Sequence, residues 1–405
     1  MATKPARLEA DWLDRASARA VIEALEAVRP GSARFVGGCV RNSLMKRAVD
    51  DVDIATQLPP ETVLDTLKRS GLRAIPTGLE HGTITAVSDG ELFEITTLRR
   101  DVETDGRRAV VAFTEDWAED AARRDFRMNA LYAEPDGTLH DPTGGGLNDA
   151  ETRRVIFIGD PDQRLREDYL RILRFFRFNA WYGAGIDADG LAACERQRSG
   201  LEKIASERIW KEFRKLLSAP DPTEVLQAME QSGVLGGVVP KAAAAHFRAF
   251  QKIANTPWDP VRRLLALLPR DEVTAARAAS ALRLSNAERE RLTAWAKNEI
   301  VLSPAMTPAK ARAAAYRLEH RTFFDRIYTA MAADGRQAWQ AVHDAVDGWG
   351  RPSFPLMGRD LAALGLEGPA IGKALRELEA WWIEEDFQPS RADLLTRISE
   401  ARRGG

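Results

Sequence analysis

Polar and apolar residues alternate only in the first third of this chain; beyond it, apolar positions recur at spacings of three and four to the end. A period of two belongs to half-buried strands and a period near 3.6 to amphipathic helices, so the pattern demands a small α/β portion followed by an all-helical one. Helical spacing at the start (Leu13, Ala16, Ala20, Val21, Leu25, Val28) stops at Pro30-Gly31, a helix-ending pair. Ala33-Arg34-Phe35-Val36 then reads as a short strand, Gly37-Gly38 as a turn and Val40 to Met45 as the start of a helix. Asp51-Val52-Asp53-Ile54-Ala55-Thr56 has strand alternation, and a helix over 60–71, a strand near 73–76 and a hairpin of 83–87 with 93–98 around Asp89-Gly90 complete a small mixed sheet. The charged stretch 99–115 reads as a mobile loop. After Trp117 the strand signals shrink to 131–133, Leu139 and 155–158, and helices are expected over 164–181, 207–217 and 223–232.

At 405 residues the chain exceeds one compact core and should divide into two to four domains. No apolar run approaches the roughly 18 to 20 residues of a bilayer span, and Met1-Ala2-Thr3-Lys4-Pro5 leads into acidic residues, so the reading is a cytoplasmic protein with no membrane contact. Cys39 and Cys194, the only cysteines, stand far apart; no disulfide partner and no four-cysteine zinc site is expected. The net charge of -2 does not advertise a nucleic-acid binder, yet residues 261–330 carry 13 Lys/Arg against 7 Asp/Glu, a local +6 in a helical stretch.

Asp51 and Asp53 lie two apart on a predicted strand and so project from one face while Val52 and Ile54 point into a core. Two convergent carboxylates suit Mg²⁺, which is commonly held by one or two carboxylates together with substrate phosphates. A pair of such ions activates a hydroxyl and stabilises the leaving oxygen of an in-line displacement. The string is not unique, since Asp160-Pro161-Asp162 and Asp187-Ala188-Asp189 repeat it. Gly37-Gly38, between a strand and a helix, exposes backbone N–H groups suited to an anion, with Arg41 one turn in. Glu94, on a neighbouring predicted strand, is a candidate third carboxylate or supporting contact. Asp168 and Arg171, three apart on a predicted helix, offer one acceptor side and one donor side. Such a couple matches the amine and ring nitrogen that cytosine and adenine share, and rejects guanine and uracil.

Gly37-Gly38-Cys39-Val40-Arg41-Asn42 followed by Asp51-Val52-Asp53 resembles the first motif of the nucleotidyltransferases that comprise class II CCA-adding enzymes and bacterial poly(A) polymerases. Arg123-Arg124-Asp125-Phe126-Arg127-Met128-Asn129-Ala130-Leu131 is similar to the second motif, the run Glu167 to Arg177 to the base-recognition helix, and Ser206 to Phe213 to a later helical motif. The resemblance is dense over 33–217. Asn42 stands where the family usually has Asp, and Arg127 where Thr is common. Thr77-Gly78-Leu79-Glu80-His81-Gly82-Thr83 resembles the segment carried by CCA-adding members, which favours tRNA over poly(A) as product.

The resemblance implies an α+β protein: a small mixed-sheet head over 1–150, then an elongated all-helical neck (151–220), body (221–300) and tail (301–405) that binds the tRNA. It implies addition of CMP, CMP and AMP to the tRNA 3′ end from CTP and ATP, with release of pyrophosphate and two Mg²⁺ ions held by Asp51 and Asp53, with Glu94 as a further candidate. Gly37, Gly38 and Arg41 would approach the phosphates, Arg124, Asp125 and Asn129 the ribose side, Asp168 and Arg171 the base, and Arg174 and Arg177 the base stack or phosphates. The partners are the tRNA, through its 3′ end and outer half, with CTP and ATP. The rival readings are a poly(A) polymerase or a partial C- or A-adding enzyme and, from another class, a non-catalytic RNA- or nucleotide-binding module.

Overall fold

The structure, a computed structural model, describes residues 6–101, 111–253 and 259–403. Two compact units divide the chain, Met1–Gly237 and Val238–Gly405. Among the described residues nine short strands lie in the first: β1 (Ala33–Val36), β2 (Val52–Thr56), β3 (Arg73–Gly78), β4 (Thr83–Ser88), β5 (Glu91–Thr97), β6 (Arg99–Asp101), β7 (Val111–Phe113), β8 (Tyr132–Ala133) and β9 (Leu139–His140). Seven form one mixed sheet in the order β3-β4-β5-β2-β1-β8-β9, in which β2 and β5 run parallel and the other pairs antiparallel. The hairpin turn falls on Asp89-Gly90, both at positive φ (48° and 81°), as a tight two-residue connection requires. Helices α1 (Ala16–Glu26) and α3 (Pro60–Arg69) pack on one sheet face, where Phe93 and Ile95 are buried, while Leu92 and Glu94 between and beside them are exposed. The β2–β5 pair therefore has one face in the core, while on the other Ala55 is buried, Asp53 half-buried and Glu94 exposed. Helix α2 (Gly38–Leu44) joins β1 to β2.

Several expectations need correction. The ends of the predicted 99–115 loop pair as a two-stranded ribbon, β6 with β7, and residues 102–110 lie outside the described residues, as do Met1 to Pro5. Residues 155–158 form no strand; Phe157 makes only an isolated bridge to Phe126. Its ring instead joins a cluster with Phe126 (5.0 Å) and Phe175 (5.3 Å), and Phe126 meets Phe178 at 5.1 Å. The helix expected over 164–181 is two helices, α6 (Pro161–Glu167) and α7 (Leu170–Tyr182), after α4 (Trp117–Ala122) and α5 (Gly146–Thr152). Further along come α8 (Ala188–Gln197), α9 (Ser206–Leu217), which packs on α7, and α10 (Thr223–Gln231). The two spare Asp-x-Asp strings cap helices: Asp160 accepts from Gln163 N–H at the start of α6, and Asp187 from Gly190 N–H at the start of α8.

The regular elements described in the second unit are all helices, around cores that include Phe323, Ile327, Met331 and Trp339 in one cluster and Leu361, Leu378 and Trp382 in another. Part of the +6 excess over 261–330 is internal. Asp325, fully buried, accepts from Arg262 (2.7 Å) and from both Nε (2.7 Å) and Nη2 (2.9 Å) of Arg291. Arg326 donates to the carbonyls of Ala294, Trp295 and Ile300. These arginines tie helices together, so they add nothing to an outer basic surface. Lys373, in the tail stretch, sits 3.8 Å from Glu377. No helix among the described residues is long and apolar enough to cross a membrane.

Removing one member of a buried ion-pair group strands its partners without compensation, at a cost of roughly 3 to 5 kcal/mol. Arg291 keeps Asp259 at 2.7 Å, so Asp325→Ala should lower the unfolding free energy of the second unit by up to about that much while leaving the unfolding of the first unit unchanged, as read by two-wavelength urea titration.

Candidate active site

Parallel pairing of β2 with β5 sets Asp53 directly beside Glu94, and residues paired across a ladder point to the same face. Asp51 precedes the strand by one residue and is exposed, with Val52 buried between the two acids. Burial, and then the negative charges of Glu94 and Asp51, push the Asp53 carboxyl up to about 6, against a weaker pull from Arg124 and Arg41. Crowded oxygen donors of one sign suit a hard divalent cation, which relieves their repulsion. Among the described residues no three His, Cys, Asp or Glu are grouped so as to hold a metal ion, Asp51, Asp53 and Glu94 included, so the adjacent acids are the pair Asp53 and Glu94.

At the end of β1 the chain turns through Gly37, whose φ of 71° and ψ of -115° suit glycine alone, and enters α2 at Gly38. The first turn of a helix has N–H groups without intrahelical partners. Arg41, also in α2, is only 6% exposed. It donates from Nε (3.1 Å) and Nη2 (2.7 Å) to Asn42 Oδ1, from Nη2 to the Tyr182 hydroxyl (2.9 Å) and from Nη1 to Asn129 Oδ1. All of these acceptors are neutral, and no carboxylate among the described residues pairs with it. Burial accordingly lowers its pKa. Asn42, the departure from the family pattern, accepts from Arg41 while its Nδ2 donates to the Ala48 carbonyl (2.9 Å), a bond that an ionised Asp could not make. Arg127, the other departure, reaches buried Asp149 with Nε at 2.7 Å and Nη2 at 2.9 Å, tying the second motif to α5.

The remaining cleft arginines are paired with acids. Asp120, in α4, accepts from Arg124 (3.2 and 3.0 Å), Arg123 (3.1 Å), the Tyr132 hydroxyl (2.8 Å) and the Arg99 N–H (3.1 Å). Burial alone would raise its pKa, yet these cations and donors hold it down at about 2. Asp125 accepts from Arg174, from Asn129 Nδ2 (2.9 Å) and from the Phe126 N–H (2.9 Å), and these bonds likewise outweigh its burial. Asn129 thus links Arg41 to Asp125 and so to Arg174. Sequence reading missed Asp120, although its spacing of three and four from Arg123 and Arg124 on a helical segment was the available signal.

Asp168 requires the main correction. It is extended (φ -150°, ψ 104°) at the break between α6 and α7, so it does not share a helix face with Arg171. Its Oδ1 accepts from the Leu170 N–H (3.0 Å), starting α7, and its Oδ2 from Arg208 of α9 (3.2 Å). Arg171 turns instead to Glu167 (2.6 Å) and to the carbonyls of Arg164 (2.9 Å) and Arg123 (3.1 Å). Arg177 pairs with buried Glu212 of α9 (2.6 Å) and stacks on Phe178 (4.3 Å).

A cleft of about 460 Å³ gathers most of these groups: Gly37, Gly38, Arg41, Asp53, Arg124, Asp125, Asn129, Asp168, Arg171 and Arg174 all line it, with Arg123, Leu170, Phe178 and Arg208. Asp51, Glu94 and Arg177 are not among its lining residues. The arrangement can hold a polyanion against several guanidinium groups, with an acidic strand beside it.

Because the folded state binds the Asp53 proton more tightly than the unfolded chain does, stability falls as pH rises from about 4 through about 6. The charged carboxylate then costs up to about 3 kcal/mol, less whatever solvent screens. In divalent-free buffer at pH 7.5, Asp53→Asn should therefore melt above the unsubstituted protein, and the two curves should converge below about pH 4 in calorimetry.

Residues 33–156 match the family model described as the poly A polymerase head domain, and residues 185–245 the one described as a probable RNA and SrmB-binding site of polymerase A. The chain is 33% identical over 394 residues to "CCA tRNA nucleotidyltransferase 1, mitochondrial" of Homo sapiens, covering 91% of this chain and 86% of that protein. It is 32% identical over 381 residues to the CCA-adding enzyme of Limosilactobacillus fermentum, covering 91% and 92%. The crystal structure of the Bacillus stearothermophilus CCA-adding enzyme in complex with CTP superposes with a TM-score of 0.75 at 25% identity, over 96% of this chain and 97% of that one. Near-complete coverage in both directions, together with a cleft that collects the four motifs, leads to one conclusion: the chain belongs to the CCA-adding tRNA nucleotidyltransferase family.

Proposed function

We propose that this chain attaches CMP, CMP and AMP in turn to the 3′ end of tRNA, using CTP and ATP and needing no nucleic-acid template. In each step the terminal ribose oxygen forms a bond to the α-phosphorus, the bond from that phosphorus to the β-phosphate oxygen breaks, and pyrophosphate leaves. The observation that carries this reading is the single cleft in which Asp53, the buried cation of Arg41 and the polar start of α7 at Asp168 converge. Asp51 and Asp53, supported by Glu94, are the residues we assign to Mg²⁺, which when bound there would activate the hydroxyl and neutralise the triphosphate.

The other roles belong to the chain itself. Arg41 receives the phosphates: it is buried beside neutral acceptors, and an arriving anion supplies the charge it lacks. Arg124, Asp125 and Asn129, held by Asp120 and by one another, orient the ribose side. Asp168 accepts the exocyclic amine that cytosine and adenine share, and its carboxylate is then divided between the base and Arg208. A guanine or uracil carbonyl at that point would leave two acceptors facing each other in a confined site. Arg171, fixed by Glu167 and two carbonyls, keeps α7 seated against Arg123 and so sets where Asp168 stands. We assign the tRNA's outer half to the helical residues beyond 150, with 151–220 as neck, 221–300 as body and 301–405 as tail. The cytoplasm is the expected location; a relative from Homo sapiens is named mitochondrial, so cell fractionation decides between the two addresses.

A gel assay on tRNA lacking its 3′ end, with each nucleotide triphosphate alone and mixed, should give two additions with CTP and a third once ATP is present. Runs of A would mark a poly(A) polymerase, a halt after one kind of nucleotide a partial enzyme, and no incorporation a binding module. Asp53→Ala should abolish addition of both nucleotides with the fold retained by circular dichroism. Asp168→Ala should lower the preference for CTP over UTP, measured as a ratio of kcat/KM, by at least about tenfold.

A further inference from the structure

Tyr182 lies in the last turn of α7, beyond the Glu167 to Arg177 motif, and sequence reading gives it no role. We infer that Tyr182 is the positioning residue of Arg41, aiming its one uncommitted N–H at the phosphates of the incoming nucleotide. The inference rests on the reading that Arg41 meets the triphosphate. A guanidinium has five N–H donors. Asn42 takes two of Arg41's, Asn129 one and the Tyr182 hydroxyl one, at 2.9 Å, which among the described residues leaves a single donor on Nη1. The Tyr182 ring also lies against Arg41, with the guanidinium carbon 4.1 Å from its centroid. Arg47, on the way to Asp51, approaches the same ring at 5.0 Å.

Two features distinguish this contact from ordinary packing. It is the hydrogen bond that ties Arg41 of α2 directly to α7, the helix that begins just after Asp168, so phosphate and base contacts share one rigid reference. It also supplies an acceptor without a charge. Arg124, Arg171, Arg174 and Arg208, which line the cleft, are each paired with a carboxylate, whereas Arg41 is held in place with its charge left for a ligand. An acid at position 182 would orient the guanidinium equally well and cancel the attraction.

Tyr182→Phe keeps the ring and removes only the hydroxyl, leaving one buried Arg41 donor without its acceptor. Steady-state kinetics of the full chain on tRNA lacking its 3′ end, with inorganic tripolyphosphate as a competitive inhibitor, reads the effect. The expected result is a rise of about tenfold in the inhibition constant of tripolyphosphate and in KM for CTP and ATP alike, the scale of one charge-assisted hydrogen bond. The CTP-over-UTP preference and KM for the tRNA should stay as they were, the melting temperature should fall only by what the loss of one buried hydrogen bond brings, and the drop in kcat should be the smaller effect. Constants equal to those of the unsubstituted enzyme, or a change confined to one nucleotide or to the tRNA, overturn the inference. Arg41→Ala is the companion variant. If it leaves tripolyphosphate inhibition intact, the phosphate reading of Arg41 itself fails; if it weakens inhibition while Tyr182→Phe does not, only the role of Tyr182 falls.

Discussion

Parallel pairing of two strands places Asp53 and Glu94 side by side on one sheet face, where Asp53 lines the cleft, and the acids repel each other there against a weaker pull from Arg124 and Arg41. A protein that sought only stability would hold a neutral or apolar pair at this register. Keeping a partly buried acid with its carboxyl pushed up to about 6 costs stability at neutral pH, and the cost makes sense where a divalent cation is part of the working state.

The surrounding positive charge is handled in two ways. Arginines that define shape are neutralised by acids inside the same unit: Arg124 and Arg123 by Asp120, Arg174 by Asp125, Arg171 by Glu167, Arg177 by Glu212. Apart from the more exposed Arg171–Glu167, each pair has a buried acid, so its geometry is held and its pull on a ligand is small. Arg41 is built the other way, buried among neutral oxygens, and so keeps a charge for an anion to meet. The difference lies in the acceptor type, since all of these groups are the same guanidinium.

Much of this is legible in the residue order. Strand alternation locates β1, β2 and the β4–β5 hairpin to within two residues or so, because a sheet with one buried face writes its register into the sequence. Gly37-Gly38 and Asp53 are legible for the same reason: short range along the chain sets their relation. The failures are equally physical. Residues 164–181 read as one helix because nothing in their apolar spacing marks the break at Asp168, where a side-chain bond to the Leu170 N–H competes with helix continuation. The +6 excess over 261–330 cannot be divided into surface and interior from composition, which does not say which arginines a buried Asp325 draws inward.

Local order therefore settles from sequence alone: which segments are strands or helices, which glycine turns the chain, and which residue types the cleft has available. Which of them meet is a different matter, because partners such as Arg41 and Tyr182, Asp168 and Arg208, or Arg177 and Glu212 are separated by 35 residues or more and no periodicity relates them. Those meetings are decided by how α7 seats on the phenylalanine cluster and on α9. Packing of this kind is a many-body outcome: each ring and each ion pair is placed by all its neighbours at once, and only the folded chain brings them within reach.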